Sequence, residues 1–466
     1  MAESALRGPV VHKFGGSCLS SPELTLRCAD IVKEAVAEGK RQFVVISALK
    51  GQTNLIREEL AKLVKGENGL DHFIEEVRAR HLLMAESTIV DRKLRAQVVE
   101  SLDTLATRLE RLLWGVVYTE ELTPRTADQA LTHGERMAAY LFAGVLRGKG
   151  LDAVALEADM AGVVTDGVYG AATANLEATQ VSLGEKVRPI LERKGVPVLT
   201  GFFGADMQGH TTTFGRNGSD YSAAVAARAL SSPLLVLWKD VPGFMSADPK
   251  VVKGARLLPL VTYEEAAELA YFGLEVLHPM TVEPLLPLSI PIQIHDLMDP
   301  KGPGSLISAK NGTEGPHIKS VTRTTGISII KVHAAALGIR PSFLAAVAKT
   351  LADQGVQALG VSTSQACLGV VLRTKDADKA VMALRGAAIP ELERIDRTDK
   401  LALIGAVGSG ALQDQTVTTR MMSALAGMGG PIASVAVGPS SAAVYFVVDE
   451  GISKDAVLLV HRTFCE

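Results

Sequence analysis

Through residues 1–300, short β-branched runs alternate with stretches whose apolar residues recur at helical spacing. The runs PVVHKF, RQFVVISAL, LDAVALEA, VPVLTGFF, LLVLWKDV and IPIQIHDL predict strands. ELTLRCADIVKEAVAEG, ERMAAYLFAGVLRGKG and TYEEAAELAYFG predict helices between them. This alternation marks an α/β fold, a mostly parallel sheet covered by helices. Ligands of such sheets sit beyond the carboxyl ends of the strands. The polar, glycine-rich strand tips are therefore where chemistry is expected.

Residues 65–122 break the alternation. They hold few glycines before Gly115, and their apolar residues fall at helical spacing, predicting two or more amphipathic helices inserted into the α/β domain. Asp299–Pro316 is rich in Pro and Gly and marks a boundary. Two similar units follow, each reading strand, helix, strand, turn, strand, helix. Thr363-Ser364 matches Ser440-Ser441 and Lys379-Ala380-Val381 matches Asp455-Ala456-Val457, offsets of 77 and 76 positions. This predicts a duplicated α+β module, at 313–395 and 396–466, with strands that can interleave, after a catalytic domain over 1–312. Neither copy carries obvious catalytic residues, so the pair reads as a dimerisation scaffold or a small-molecule sensor.

Composition narrows the partners. The 466-residue chain is 47% hydrophobic and 21% charged, with a net charge of −3 and no basic stripe, which gives no case for nucleic acid. Cys18, Cys28, Cys367 and Cys465 lack CxxC spacing, which argues against a disulfide framework or zinc site and fits a reducing cytoplasm. The uncharged stretch from Met421 to Val448 is broken by Gly429-Gly430-Pro431 and Gly438-Pro439-Ser440-Ser441, predicting helix, turn and strand in place of a membrane span. The opening MAESALRGPVV has no basic region leading into an apolar core, so no signal peptide is expected.

Several strand tips carry candidate chemistry. Lys13 precedes Gly15 and Gly16, whose N–H groups can approach an anion beside the ammonium, although paired glycines also mark ordinary turns. Ser47, Gly51, Thr53 and Asn54 follow the second strand and suit either a polar ligand or a helix cap. Glu135 suits a helix's first turn, or reception of a substrate ammonium. The stretch GHTTTFGRNGSDYSAAVAARAL brings Arg216, a side chain suited to fork a carboxylate, with Ser219 and Asp220 at a helix start. Asp240, Asp248 and Lys250 follow another strand. Their co-occurrence at the tips of one sheet is the signal.

These segments resemble the aspartate kinases of the amino-acid kinase superfamily, over nearly the whole length. KFGGSC stands for the family's KFGGTS, SALKGQTN for S-x-x-x-G-x-T-N, and THGERM for H-G-E. TTTFGRNGSDYSAA is the most specific match, and FGLEVLHP stands for F-G-A-K-V-L-H-P. The resemblance implies a three-layer αβα sandwich followed by two ACT-like (ferredoxin-like) modules. It also implies transfer of the γ-phosphate of Mg-ATP to the β-carboxylate of L-aspartate. Lys13, Gly15, Gly16 and Asp220 would be catalytic. Ser47, Thr53, Glu135, Arg216 and Ser219 would bind aspartate, Arg216 at the α-carboxylate and Glu135 at the α-ammonium. Lys239, Asp240, Met245, Asp248, Lys250, Glu275 and Val276 would face the nucleotide. Ser362, Thr363 and Ser364 would border an amino-acid effector, and the ACT-like modules would join copies into a homodimer or larger homo-oligomer.

The nucleotide side departs from the family. Lys239 replaces a threonine, Met245 a tyrosine, Lys250 an arginine and Glu275 a lysine. A carboxylate beside a polyphosphate repels it by about 1 to 4 kcal/mol at ~4 Å. Lys239 either takes over the phosphate charge or pairs with Glu275. In the first module Leu359 stands where lysine-inhibited members carry an aspartate, so threonine or no effector is expected before lysine. Two alternatives stay open: a kinase of another amino-acid carboxylate, and an amino-acid-sensing subunit with impaired catalysis.

Overall fold

The computed structural model describes residues 8–67, 69–215, 218–271, 277, 279–309, 318–335, 340–409, 411, 415–429, 431–438 and 440–465. It divides into two compact units. One comprises Met1–Phe244, Pro259–Ala267 and Glu275–Asn311; the other comprises Met245–Leu258, Glu268–Leu274 and Gly312–Glu466.

The first unit opens with β1 (Val10–Phe14), α1 (Pro22–Ala37), β2 (Gln42–Ile46) and α2 (Gln52–Leu63). The long helices α3 (Leu70–Thr88) and α4 (Arg92–Thr119) follow, then α5 (Pro124–Leu131), α6 (His133–Gly148) and β3 (Ala153–Leu156). Next come α7 (Ala158–Ala161), α8 (Leu176–Glu192), β4 (Val196–Thr200), β5 (Phe203–Ala205), β6 (Thr211–Thr213), α9 (Gly218–Ala229) and β7 (Leu235–Lys239). β8 (Leu260–Thr262), the start of α10 (Tyr263–Tyr271, of which Glu268 onward belongs to the second unit), β9 (Ile292–Asp296) and β10 (Ser305–Ser308) complete the series.

Eight strands form one sheet in the order β3-β4-β2-β1-β7-β9-β10-β8, and every pairing is parallel except β9 with β10. β2 and β4 are buried along their whole length, which is why they read as unbroken apolar runs. α1 packs with α6, and α8 with α9, as the helical layers of a three-layer αβα sandwich. Local signals start the helices: Ser21 and Asp91 accept the N–H groups of Leu24 and Leu94, and Pro22 opens α1. α4 buries Val98, Leu102, Leu105, Leu109, Leu113 and Val116 at three- and four-residue spacing, against α3 and α6.

The second unit repeats one motif. β11 (Ser320–Ala334), α11 (Pro341–Asp353), β12 (Ala358–Thr363), β13 (Cys367–Arg373) and α12 (Thr374–Gly386) form the first copy. β14 (Leu392–Val407), α13 (Gln415–Ala426), β15 (Ile432–Ala436), β16 (Ala443–Asp449) and α14 (Ser453–Cys465) form the second. Their strands make one antiparallel sheet, β12-β13-β11-β14-β16-β15. β11 and β14 pair from Ser320↔Val407 to Ala334↔Leu392, fusing the copies. The break read at 395/396 falls inside β14. The first half of that strand is largely exposed and polar, so it lacks the apolar signal of a strand start. The uncharged 421–448 stretch is divided among α13, β15 and β16, and no described helix is long and apolar enough to cross a membrane.

Candidate active site

A cavity of about 490 Å³ opens where the parallel strands end. The tip of β1 supplies Lys13, Gly15 and Gly16. Ser47 follows β2, the turn into α2 adds Lys50 and Gly51, and the first turns of α2 add Thr53, Asn54 and Arg57. α6 contributes Glu135 from its first turn, α9 contributes Gly218, Ser219 and Asp220, and β7 ends in Lys239 and Asp240. These elements meet closely. A Cβ on Gly134 would lie 2.8 Å from the Ala48 Cβ, and one on Gly201 would lie 2.8 Å from the Ser219 Cβ. Glycine at those places lets α6 and α9 start against the strand tips.

Four ionisable side chains dominate the cavity. Lys13 Nζ lies 2.6 Å from Asp220 Oδ1, and Lys239 Nζ donates to Asp220 Oδ2 at 2.7 Å. Burial alone would raise the Asp220 pKa, but the two ammonium groups hold it well below the usual carboxylate range. Burial lowers the Lys13 pKa; Asp220 opposes this and Lys239 reinforces it. Lys239 is thus paired with Asp220, a partner that sequence reasoning did not weigh. Glu135 is the fourth. Burial pushes its pKa up to about 8, against the pull of the Ala48 and Glu135 N–H groups, Lys13 and the Thr53 hydroxyl. Its Oε2 is buried without a hydrogen-bond partner among the described residues.

The threonine run that leads into α9 is a clamp. The Thr211 hydroxyl donates to Asp159 Oδ2 at 2.8 Å, and those of Thr212 and Thr165 share a 2.6 Å bond. Thr213 donates its N–H and its hydroxyl to the two Asp128 oxygens, each at 2.9 Å. Asp159 and Glu157 in turn hold the fully buried Arg136, the neighbour of Glu135. All three hydroxyls are therefore committed within the protein, fixing the chain that enters α9.

Behind the sheet, Trp238 Nε1 donates to His12 Nδ1 at 3.0 Å, so the His12 Nε2 carries the proton and donates to Gln42 Oε1 at 2.8 Å. Burial lowers the His12 pKa to about 4, leaving it neutral. These bonds tie β1, β2 and β7 in the register that presents Lys13 and Lys239 together. Sequence reasoning also missed Lys50 and Arg57. Arg57 lies one helical turn after Thr53 on α2, a spacing that places both on one face.

The structure does not gather every expected residue here. Arg216, Glu275 and Val276 lie outside the described residues. Met245, Asp248 and Lys250 belong to the second unit and do not line the cavity. There, Ser320 donates to the Met245 carbonyl, and Asp248 accepts the Lys250 N–H at 2.9 Å in a turn. Ser362 borders a shallow crease of about 60 Å³ with Leu359, Leu403 and Tyr445. Thr363 ends β12 and is exposed, while the Ser364 N–H bonds the Cys367 carbonyl at 2.8 Å.

An αβα sheet with this lysine-and-carboxylate cavity at its strand tips defines a class. The model of the amino acid kinase family matches residues 8–296, and the chain belongs to that family. Within it the chain is an aspartokinase. It is 30% identical to the lysine-sensitive aspartokinase 3 of Escherichia coli, over 86% of this chain and 87% of that one. It is 28% identical to the chloroplastic aspartokinase 2 of Arabidopsis thaliana, over 98% and 84%. A crystal structure of E. coli aspartokinase III in complex with aspartate and ADP superposes with a TM-score of 0.83 at 27% identity, covering 98% of this chain and all of that one.

Proposed function

We infer that this chain is an ATP-dependent kinase that phosphorylates the β-carboxylate of L-aspartate to give 4-phospho-L-aspartate and ADP. The observation that carries the reading is one cavity holding a buried carboxyl group, Glu135, whose Oε2 has no hydrogen-bond partner among the described residues, and a two-lysine cluster around Asp220. The carboxylate suits an α-ammonium and the lysines suit phosphates.

An acceptor carboxylate with a pKa near ~4 is ionised at neutral pH, so no general base is required. Catalysis reduces to alignment and to screening charge on the phosphoryl group. Lys13, held by Asp220, supplies a positive charge there, with the Gly15 and Gly16 N–H groups beside it. Glu135 holds the α-ammonium, Arg216 the α-carboxylate, and Ser47, Thr53 and Ser219 line the acceptor pocket. Mg²⁺ fits as an ion carried by the nucleotide phosphates. Among the described residues no three His, Cys, Asp or Glu side chains gather to hold a metal, and Asp240 is the cavity carboxylate outside the lysine cluster and the acceptor pocket. Bound there, the ion would neutralise phosphate charge.

Asp240, Glu275 and Val276 are proposed to complete the nucleotide side. The catalytic domain is proposed to span 1–312. The modules after it are proposed to sense an amino acid near Ser362–Ser364 and to join copies of the chain in the cytoplasm. The reaction would open biosynthesis of lysine- and threonine-type amino acids. Hydroxylamine trapping of the acyl phosphate tests the reading, with aspartate, glutamate and N-acetylglutamate as acceptors. Hydroxamate from aspartate, dependent on Mg-ATP, is expected. None from aspartate, or as much from the N-acetylated acid, would refute it.

A further inference from the structure

The tips of β2, β1 and β7 stand side by side in the sheet, in that order. Ser47 follows β2, with Thr53 and Glu135 bordering the same end of the cavity. Lys13 stands in the middle on β1, and Lys239 stands beyond it on β7. The register pairs Lys13 with Leu237 and Phe14 with Trp238, so the two lysines leave adjacent strands. Lys239 is 15% exposed and Lys13 6%, and one carboxylate, Asp220, serves both. Among the described residues the two ammonium groups share Asp220, and neither forms an ion pair with a second carboxylate. A surplus cation in a strand-end cavity, next to paired glycine N–H groups, is a receptor for an anion.

We propose that Lys239 is a second phosphate-contacting catalytic residue, which neutralises the leaving phosphate of the nucleotide while Lys13 serves the phosphoryl group in transit. This rests on the acceptor lying at the Glu135 end. Phosphorus then passes over Lys13, and the departing diphosphate lies on the β7 side. The bond from the γ-phosphorus to the β,γ-bridging oxygen breaks as the bond to the acceptor carboxylate oxygen forms. The electron pair and negative charge stay on the β-phosphate, where Lys239 meets them. Asp220 holds the two ammonium groups apart at 2.6 and 2.7 Å and keeps each aimed into the cavity.

The test compares full-length wild type with Lys239→Met and Lys239→Arg. Lys239→Met is expected to raise the KM for ATP at least tenfold and to lower kcat, with the KM for aspartate within twofold of wild type. Lys239→Arg is expected to stay within about fivefold of wild type on every parameter, because it keeps the charge. Calorimetry with inorganic tripolyphosphate should show affinity at least tenfold weaker for Lys239→Met alone. The proposal is overturned if Lys239→Met leaves both the ATP KM and the tripolyphosphate affinity unchanged. It is also overturned if both substitutions impair aspartate and ATP equally, which would mark a structural lysine. Tripolyphosphate binding through Lys239 in a wild-type chain that forms no hydroxamate would sustain this site and refute the acceptor reading instead.

Discussion

Glu135 makes the binding of aspartate a proton-coupled event. In the empty cavity burial lifts its pKa to about 8. About one molecule in ten then carries the carboxylate at pH 7, and the fraction rises about eightfold between pH 6.5 and 7.5. An α-ammonium needs that carboxylate, so the KM for aspartate should fall about eightfold across the same interval. Each binding event at pH 7 should release about 0.9 proton. Glu135→Gln keeps the shape and removes the charge. Breaking a buried charge pair costs about 2 to 5 kcal/mol, and wild type already spends about 1.4 kcal/mol at pH 7 on ionising Glu135. The net loss is about 0.6 to 3.6 kcal/mol, a KM for aspartate raised between about threefold and about 400-fold. Initial rates of ADP release at saturating ATP, from pH 6 to 8, give the KM. Calorimetry in two buffers of different ionisation enthalpy gives the proton count. A wild-type KM that is flat with pH, or a Glu135→Gln variant that keeps the wild-type slope, would refute the reasoning.

Three further outcomes follow from the same cavity. The folded chain holds a proton on Glu135 that the unfolded chain, with an ordinary carboxyl, has lost above about pH 5. Melting of the empty protein should therefore show stability falling as pH rises from about 5 to 8, and Glu135→Gln should flatten that slope. Asp220→Asn strands two buried ammonium groups and should cost about 3 to 5 kcal/mol in denaturant unfolding, with loss of activity; an unfolding midpoint like wild type would contradict the pairing. Thr213→Val removes one bond to Asp128 but keeps the N–H bond. It should cost about 1 to 3 kcal/mol and lower kcat/KM for aspartate, whereas unchanged stability would show that the hydroxyl clamp carries nothing.

Much of this arrangement is legible along the chain because its physics is local. β2 and β4, buried along their whole length, are continuous apolar runs, β1, β3, β7 and β9 keep enough Val, Leu and Ile to stand out, and the tips of β1, β2 and β7 carry Lys13, Ser47 and Lys239. The duplicated motif is legible because both copies keep their order of elements. The β5–β6 hairpin is not. Its second strand is only three threonines, β-prone but too short to show a period, and its stabilising partners Asp128 and Asp159 lie 85 and 52 positions away. β8 and β10 are short, and β10 falls inside the Pro- and Gly-rich stretch that reads as a boundary. The pairing of Lys239 with Asp220 depends on how α9 packs against the tip of β7, and the bond from Trp238 to His12 on register between strands distant in sequence. Residue types and spacing do not encode either.

The most direct measurement is a crystal structure of the full chain with L-aspartate and a non-hydrolysable ATP analogue. The account predicts the α-ammonium within hydrogen-bond reach of Glu135, and the terminal phosphates between the acceptor's β-carboxylate and the Lys13–Lys239 pair. Aspartate bound away from Glu135, or phosphates reaching neither lysine, would contradict it.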